Sequence, residues 1–145
     1  MSVPPTMYQL VTGTVIDHLP VGSSARALAL LGLPREGPVT VGMNVPSARL
    51  GAKDIIRIEG LRLDKGERDR LALLGRTVTV SFVEGGAVSE KARLEVPEEL
   101  VGVLTCRNQT CITRTECLVS RFTRVGAFPY RFRCHYCERV QDAET

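Results

Sequence analysis

Val39-Thr40-Val41-Gly42-Met43-Asn44-Val45-Pro46-Ser47-Ala48-Arg49-Leu50-Gly51 runs on through Lys53-Asp54 into Ile55-Ile56-Arg57-Ile58-Glu59. Val39, Val41 and Met43 alternate with Thr40, Gly42 and Asn44, which is the two-residue period of a half-buried strand, and the isoleucines make a second, β-branched strand. Pro46 to Gly51 is rich in turn formers, so the expectation is a pair of antiparallel strands joined by a longer hairpin loop.

Either side of this hairpin the chain repeats a strand and a helix. Tyr8 to His18 carries Leu10, Val11, Val15 and Ile16 among polar residues and predicts a long first strand bent at Gly13. Leu19-Pro20-Val21-Gly22 breaks it, Ser23-Ser24 can cap a short helix through Ala27–Leu31, and Gly32 stops that helix. Downstream, Asp64 and Glu67 have the spacing of a capping box ahead of Leu71, Leu73 and Leu74, with Gly75 ending a second helix. Thr77–Val83 is strand by composition, and Glu84-Gly85-Gly86 turns into a last extended segment, Ala87–Leu94. Strand, helix, strand, strand, helix, strand, plus one added strand, predicts an α+β chain. Its architecture is a ferredoxin-like split βαβ sandwich, a four- to five-stranded antiparallel sheet with two helices on one face.

All 5 cysteines of the 145-residue chain lie beyond residue 105. This asymmetry, with Pro97-Glu98-Glu99 as a hinge, divides the chain into domains at 1–96 and 97–145. The second is a small all-β module with short strands at Phe122–Val125 and Tyr130–Arg133. No apolar stretch reaches the ~20 residues that span a bilayer, and Met-Ser-Val-Pro-Pro lacks a basic region followed by an apolar run. The expectation is an unprocessed cytoplasmic protein with no membrane partner. The net charge of +3 lies entirely beyond residue 100, and four thiolates around one Zn2+ would bring that segment close to neutral, too little for a nucleic-acid footprint.

The chemistry-bearing motif is Cys106-Arg-Asn-Gln-Thr-Cys111, then Cys134-His-Tyr-Cys137. Two short cysteine pairs, each on its own turn, can bring four sulfurs around one Zn2+ at about 2.3 Å, and an all-sulfur shell leaves no open position for a water nucleophile. The site is therefore structural. Cys117 belongs to neither pair and reads as a free thiol, and His135 reads as a surface residue inside its turn. In the first domain Asp17, His18, Lys53, Arg57 and Lys91 lie at strand ends or in strands that could bring them to one rim of the sheet. There a carboxylate, an imidazole and cations would suit a nucleotide. Solvated strand-end charges are the plainer account of the same residues. No nucleophile elbow, phosphate loop or zinc-protease helix is present, so no active site is expected.

Taken in order, Gly13-Thr14-Val15-Ile16-Asp17-His18, Gly42-Met43-Asn44-Val45-Pro46-Ser47, Lys53-Asp54-Ile55-Ile56-Arg57-Ile58-Glu59, Leu71-Ala72-Leu73, and Pro97-Glu98 leading to the two cysteine pairs resemble the regulatory chain of aspartate carbamoyltransferase. The resemblance covers nearly the whole length. It implies a non-catalytic subunit of pyrimidine biosynthesis, with an N-terminal allosteric domain that pairs with a second regulatory chain and a zinc domain that docks on catalytic chains. It implies inhibition by CTP aided by UTP, and activation by ATP. Position by position, Asp17 and His18 match an effector-contacting pair, Lys91 matches a phosphate-binding lysine, and Lys53 falls near the effector triphosphate. The backbone around Tyr8, Leu10, Val83 and Val88 would read base edges. Arg57 stands where well-known members carry lysine, and Ser81 and Gly86 replace an asparagine and a tyrosine, so effector affinity or preference is expected to differ. Two other readings are an architectural zinc subunit without effector response, and a zinc-ribbon nucleic-acid binder using Arg107, Arg114, Arg121, Arg124, Arg131 and Arg133.

Overall fold

A computed structural model of the chain describes residues 10–143, so Tyr8 lies outside the described residues. The chain forms two compact units that meet between Leu94 and Glu95. In the first unit the elements are β1 (Gly13–Leu19), α1 (Ser24–Leu31), β2 (Val39–Ser47), β3 (Gly51–Glu59), α2 (Lys65–Ala72), β4 (Thr79–Glu84) and β5 (Ala87–Arg93). Their antiparallel sheet has the order β2-β3-β1-β4-β5. That is the split βαβ order with one strand added beyond β4, as the element succession predicts.

Alternation explains why the sheet has one closed face. Thr14 and Ile16 of β1, Asp54, Ile56 and Ile58 of β3, and Val80 and Phe82 of β4 are buried, packed with Ala27, Leu31 and Leu71 of the helices. Their neighbours Val15, Arg57 and Ser81 are only half-buried, because they point to the other face. The helices end as the local sequence dictates. Gly32 takes φ 61°, and the N–H groups of Gly32 and Leu33 donate to Ala29 and Leu28, closing α1 in a Schellman turn. Asp64 and Glu67 form the full capping box of α2, each side chain accepting from the other's backbone N–H. Glu67 also pairs with Arg35, whose guanidinium donates to the Leu31 carbonyl and so ties the end of α1 to the start of α2.

Three local expectations are corrected. The first strand does not bend at Gly13 but begins there, and Leu10–Thr12 is irregular. Gly13 has φ 152°, and a Cβ at that position would come within 2.2 Å of the Ile58 carbonyl oxygen, so close strand approach, not a bend, requires the glycine. The hairpin loop is short: β2 continues through Pro46, paired with Ala52, to Ser47, leaving Ala48–Leu50 as the turn. Proline is tolerated there because β2 is an edge strand. Lastly, α2 stops at Ala72 instead of running on to Gly75. The Glu84–Ala87 turn does form as expected, with Gly85 at φ 62° and Gly86 at φ 81°, the two positive values that a tight hairpin of right-handed twist demands.

The second unit is a four-stranded sheet in the order β6-β7-β8-β9, with β6 at Glu99–Val101, β7 at Arg121–Val125, β8 at Arg131–Cys134 and β9 at Val140–Gln141. A single turn of helix, α3 (Ile112–Thr115), follows Cys111 and was not anticipated. Leu100, Leu104, Phe122 and Phe132 are its buried apolar residues besides cysteine. Among the described residues no helix is long and apolar enough to cross a membrane.

Candidate functional site

In the first unit the residues singled out from sequence gather on the half-exposed face. Lys53 Nζ lies 2.8 Å from Asp17 Oδ1, and the same oxygen accepts from the His18 backbone N–H at 2.6 Å. His18 Nδ1 is 3.0 Å from the Thr79 hydroxyl, and the Thr77 hydroxyl donates to the His18 carbonyl. The pair is displayed by a bulge: register shifts between Ile16 and Leu19, and His18 adopts φ 57°. Burial raises the Asp17 carboxyl, but the Lys53 ammonium and the His18 N–H outweigh it and hold Asp17 below the usual carboxylate range.

Strand register sets the rest. Thr40 faces Arg57, Arg57 faces Val15, Val15 faces Ser81 and Ser81 faces Lys91, a single row across all five strands. Three strand spacings separate the Arg57 and Lys91 backbones, or about 14 Å. Val83 is buried opposite Gly13, Val88 pairs with Val83 and is exposed, and half-buried Leu10 lies just ahead of β1. Sequence reading missed Thr79 and Asp54. Nothing in the sequence marks Thr79. Asp54 could have been found, because it takes the inward parity of Ile56 and Ile58 and so carries a carboxylate into the core.

The second site is the cysteine cluster. Cys106, Cys111, Cys134 and Cys137 have all four sulfurs within 4.8 Å of one another, with Cys106–Cys137 at 3.6 Å and Cys111–Cys134 at 3.8 Å. A tetrahedron of ~2.3 Å zinc–sulfur bonds has sulfur–sulfur edges of about 3.8 Å, so the donor set fits one structural Zn2+. Each ligand is held by its own turn. Cys111 opens α3 and accepts from the Thr113 hydroxyl at 3.1 Å, while Cys134 ends β8, where Glu138 N–H closes back on its carbonyl. Arg114 donates to the Cys106 carbonyl, and the buried Gln141 amide bridges Arg107 N–H and the Thr105 carbonyl, pinning the Cys106 loop to β9. Burial pushes the Cys106 thiol up to about 12, whereas the Thr113 hydroxyl brings Cys111 down to about 7. Four sulfurs this close all ionise only around a cation, which is what zinc supplies. Cys117 and His135 are exposed and outside the cluster, with the His135 ring edge-on to Tyr136 at 5.1 Å.

Together these units define a class: a split βαβ sandwich followed by a small zinc module closed to catalysis. The family model for the aspartate carbamoyltransferase regulatory chain allosteric domain matches residues 6–95, and that for the metal binding domain of the same chain matches residues 98–145. The chain is 42% identical over 130 residues to the aspartate carbamoyltransferase regulatory chain of Thermococcus sibiricus, covering 90% of this chain and 87% of that one. The corresponding protein of Pyrococcus horikoshii is 42% identical over 135 residues, at 91% and 89% coverage. That of Methanocaldococcus jannaschii is 37% identical over 131 residues, at 90% and 88%. The chain belongs to the family of aspartate carbamoyltransferase regulatory chains and is a non-catalytic subunit with an allosteric and a metal-binding domain.

Proposed function

We propose that the half-exposed face of the five-stranded sheet binds nucleotide effectors, with CTP aided by UTP inhibiting and ATP activating an attached aspartate carbamoyltransferase. The observation that carries this reading is the row from Arg57 through Val15 and Ser81 to Lys91, flanked by the Asp17–Lys53 pair and His18. Cations at the two ends of an otherwise small-residue row suit an extended polyphosphate, while Asp17 offers an acceptor for ribose hydroxyls. The Asp17–Lys53 pair ties up one cation with the carboxylate beside it, so a phosphate that recruits Lys53 also frees Asp17 for the sugar.

In this reading residues 1–96 sense nucleotide and residues 97–145 dock on the catalytic chain through the zinc module, with a second regulatory chain completing the cytoplasmic assembly. Support for docking comes from exposed Val101, Ile112, Leu118, Val119 and Phe128, a concentration of apolar surface on a unit with a small core. An effector biases the assembly only by binding its two states unequally.

Calorimetric titration of the zinc-loaded chain with CTP and with ATP, for the parent and for Lys91→Ala, tests the effector role. Micromolar to millimolar binding that weakens at least tenfold in Lys91→Ala is expected. Absence of binding to either nucleotide would leave an architectural zinc subunit as the better account.

A further inference from the structure

Asp54 has no solvent exposure at all, yet it keeps its charge. Its carboxylate is answered by three backbone N–H groups and by the Ser24 side chain. Oδ1 accepts from Asn44 N–H at 2.9 Å, and Oδ2 accepts from Gly22 N–H at 3.0 Å and Ser24 N–H at 3.1 Å. Burial raises its pKa, but these N–H groups, together with Ser24, outweigh burial and hold it below the usual carboxylate range.

The three donors lie where the chain leaves regular geometry. Gly22 and Ser24 carry the chain from the end of β1 into α1, whose first turn has no cap of its own, because the Ser23 hydroxyl turns back to the Pro20 carbonyl at 2.7 Å. Asn44, at φ 56°, sits in the β2 bulge between Gly42 and Val45. Across the sheet Asp54 faces Leu19, the first residue paired again after the β1 bulge that carries Asp17 and His18. Both neighbours of β3 therefore bulge beside the same residue: its carboxylate holds the β2 bulge directly through Asn44, and on the β1 side it holds the chain at Gly22 and Ser24, just beyond the end of the strand. Lys53, one position earlier, points to the opposite face and reaches Asp17 there.

We propose that Asp54 is a positioning residue for nucleotide: from the closed side of the sheet it fixes the bulge that presents Asp17 and His18, and it holds Lys53 in line with them. This rests on the effector reading above. Asp54→Asn is the direct test, because the amide keeps one acceptor oxygen and turns an NH2 group toward N–H donors that the carboxylate had satisfied.

Calorimetry with CTP and with ATP on the zinc-loaded full chain should show Asp54→Asn binding roughly tenfold more weakly than the parent. In an Asp17→Ala background the same substitution should cost much less, since its effect runs through Asp17 and its neighbour, whereas in a Lys91→Ala background the whole loss should persist. Equal losses in both backgrounds would mean a merely structural role and overturn the proposal, as would unchanged affinity in Asp54→Asn. A parent chain that binds neither nucleotide overturns the effector reading and this proposal together, which separates the two failures. Should Asp54→Asn not fold, amide hydrogen exchange on the unaltered chain decides the matter. Protection at Gly22, Ser24 and Asn44 should rise together when CTP saturates the chain, and no change at any of the three with nucleotide bound would overturn the proposal.

Discussion

The unit that ends at Leu94 buries Ile16, Leu19, Leu31, Ile56, Ile58, Leu71, Val78, Val80 and Phe82 between a sheet and two helices. Among the described residues, the unit that begins at Glu95 has as buried apolar side chains only Leu100, Leu104, Phe122 and Phe132, and then three of its four clustered cysteines. Both are antiparallel sheets, but they solve the surface-to-volume problem differently. A layer of helix on sheet removes enough apolar area from water to hold itself together, whereas some fifty residues with four large apolar side chains cannot, and the metal stands in for the missing core. The lesson is that stability in this chain is divided by mechanism as well as by sequence. A reagent aimed at one mechanism should leave the other unit standing.

The hardest blow to that comparison is zinc removal. A chelator, or Cys111→Ser, should unfold the second unit, since structural sites of this kind contribute on the order of 10 kcal/mol. Amide resonances of residues 99–141 should collapse toward random-coil positions while those of β1 to β4 stay put. Loss of both sets at once would show that the units do not stand separately.

Acid comes next, and in the first unit it acts through Asp17 and Asp54. Both have folded pKa values below their unfolded ones, so the stability they lend is complete above roughly pH 4 and is lost as pH falls through the folded values. Urea denaturation followed on first-unit resonances should show a midpoint that is flat near neutrality and declines below that point. Asp54→Asn should flatten the decline, and a slope unaltered by the substitution would shift the burden to other carboxylates. The smallest effect is local. Asp64→Ala removes the side-chain acceptor of the α2 capping box and should cost about 1 kcal/mol in the first unit with no change in zinc retention.

Legibility from sequence followed the range of the interaction. The two cysteine pairs, the α2 capping box and the Gly85-Gly86 turn were readable because each is written within a few residues, while alternation gave β2, a β-branched run gave β3 and the succession of elements gave the split βαβ sandwich. What escaped was set by partners far along the chain. Gly13 looked like a bend because nothing near it reveals the Ile58 carbonyl lying against it. Pro46 looked like a loop residue because only the finished sheet shows that β2 is an edge. Asp17, Lys53, Arg57 and Lys91 could be suspected of sharing a rim, but their alignment depends on bulges that sequence periodicity does not record. The donors that answer the Asp54 carboxylate were hidden for the same reason, since they lie ten and thirty or more residues upstream.

That separation also imposes an order of assembly. The first turn of α2 carries its acceptors in its own sequence and can form as soon as Lys65–Ala72 exists. The first turn of α1 borrows its acceptor from Asp54, thirty residues later. On a growing chain α1 must therefore wait, unfinished, until β3 has emerged and the loop between them has closed. The second helix in the sequence should be the first to become lasting.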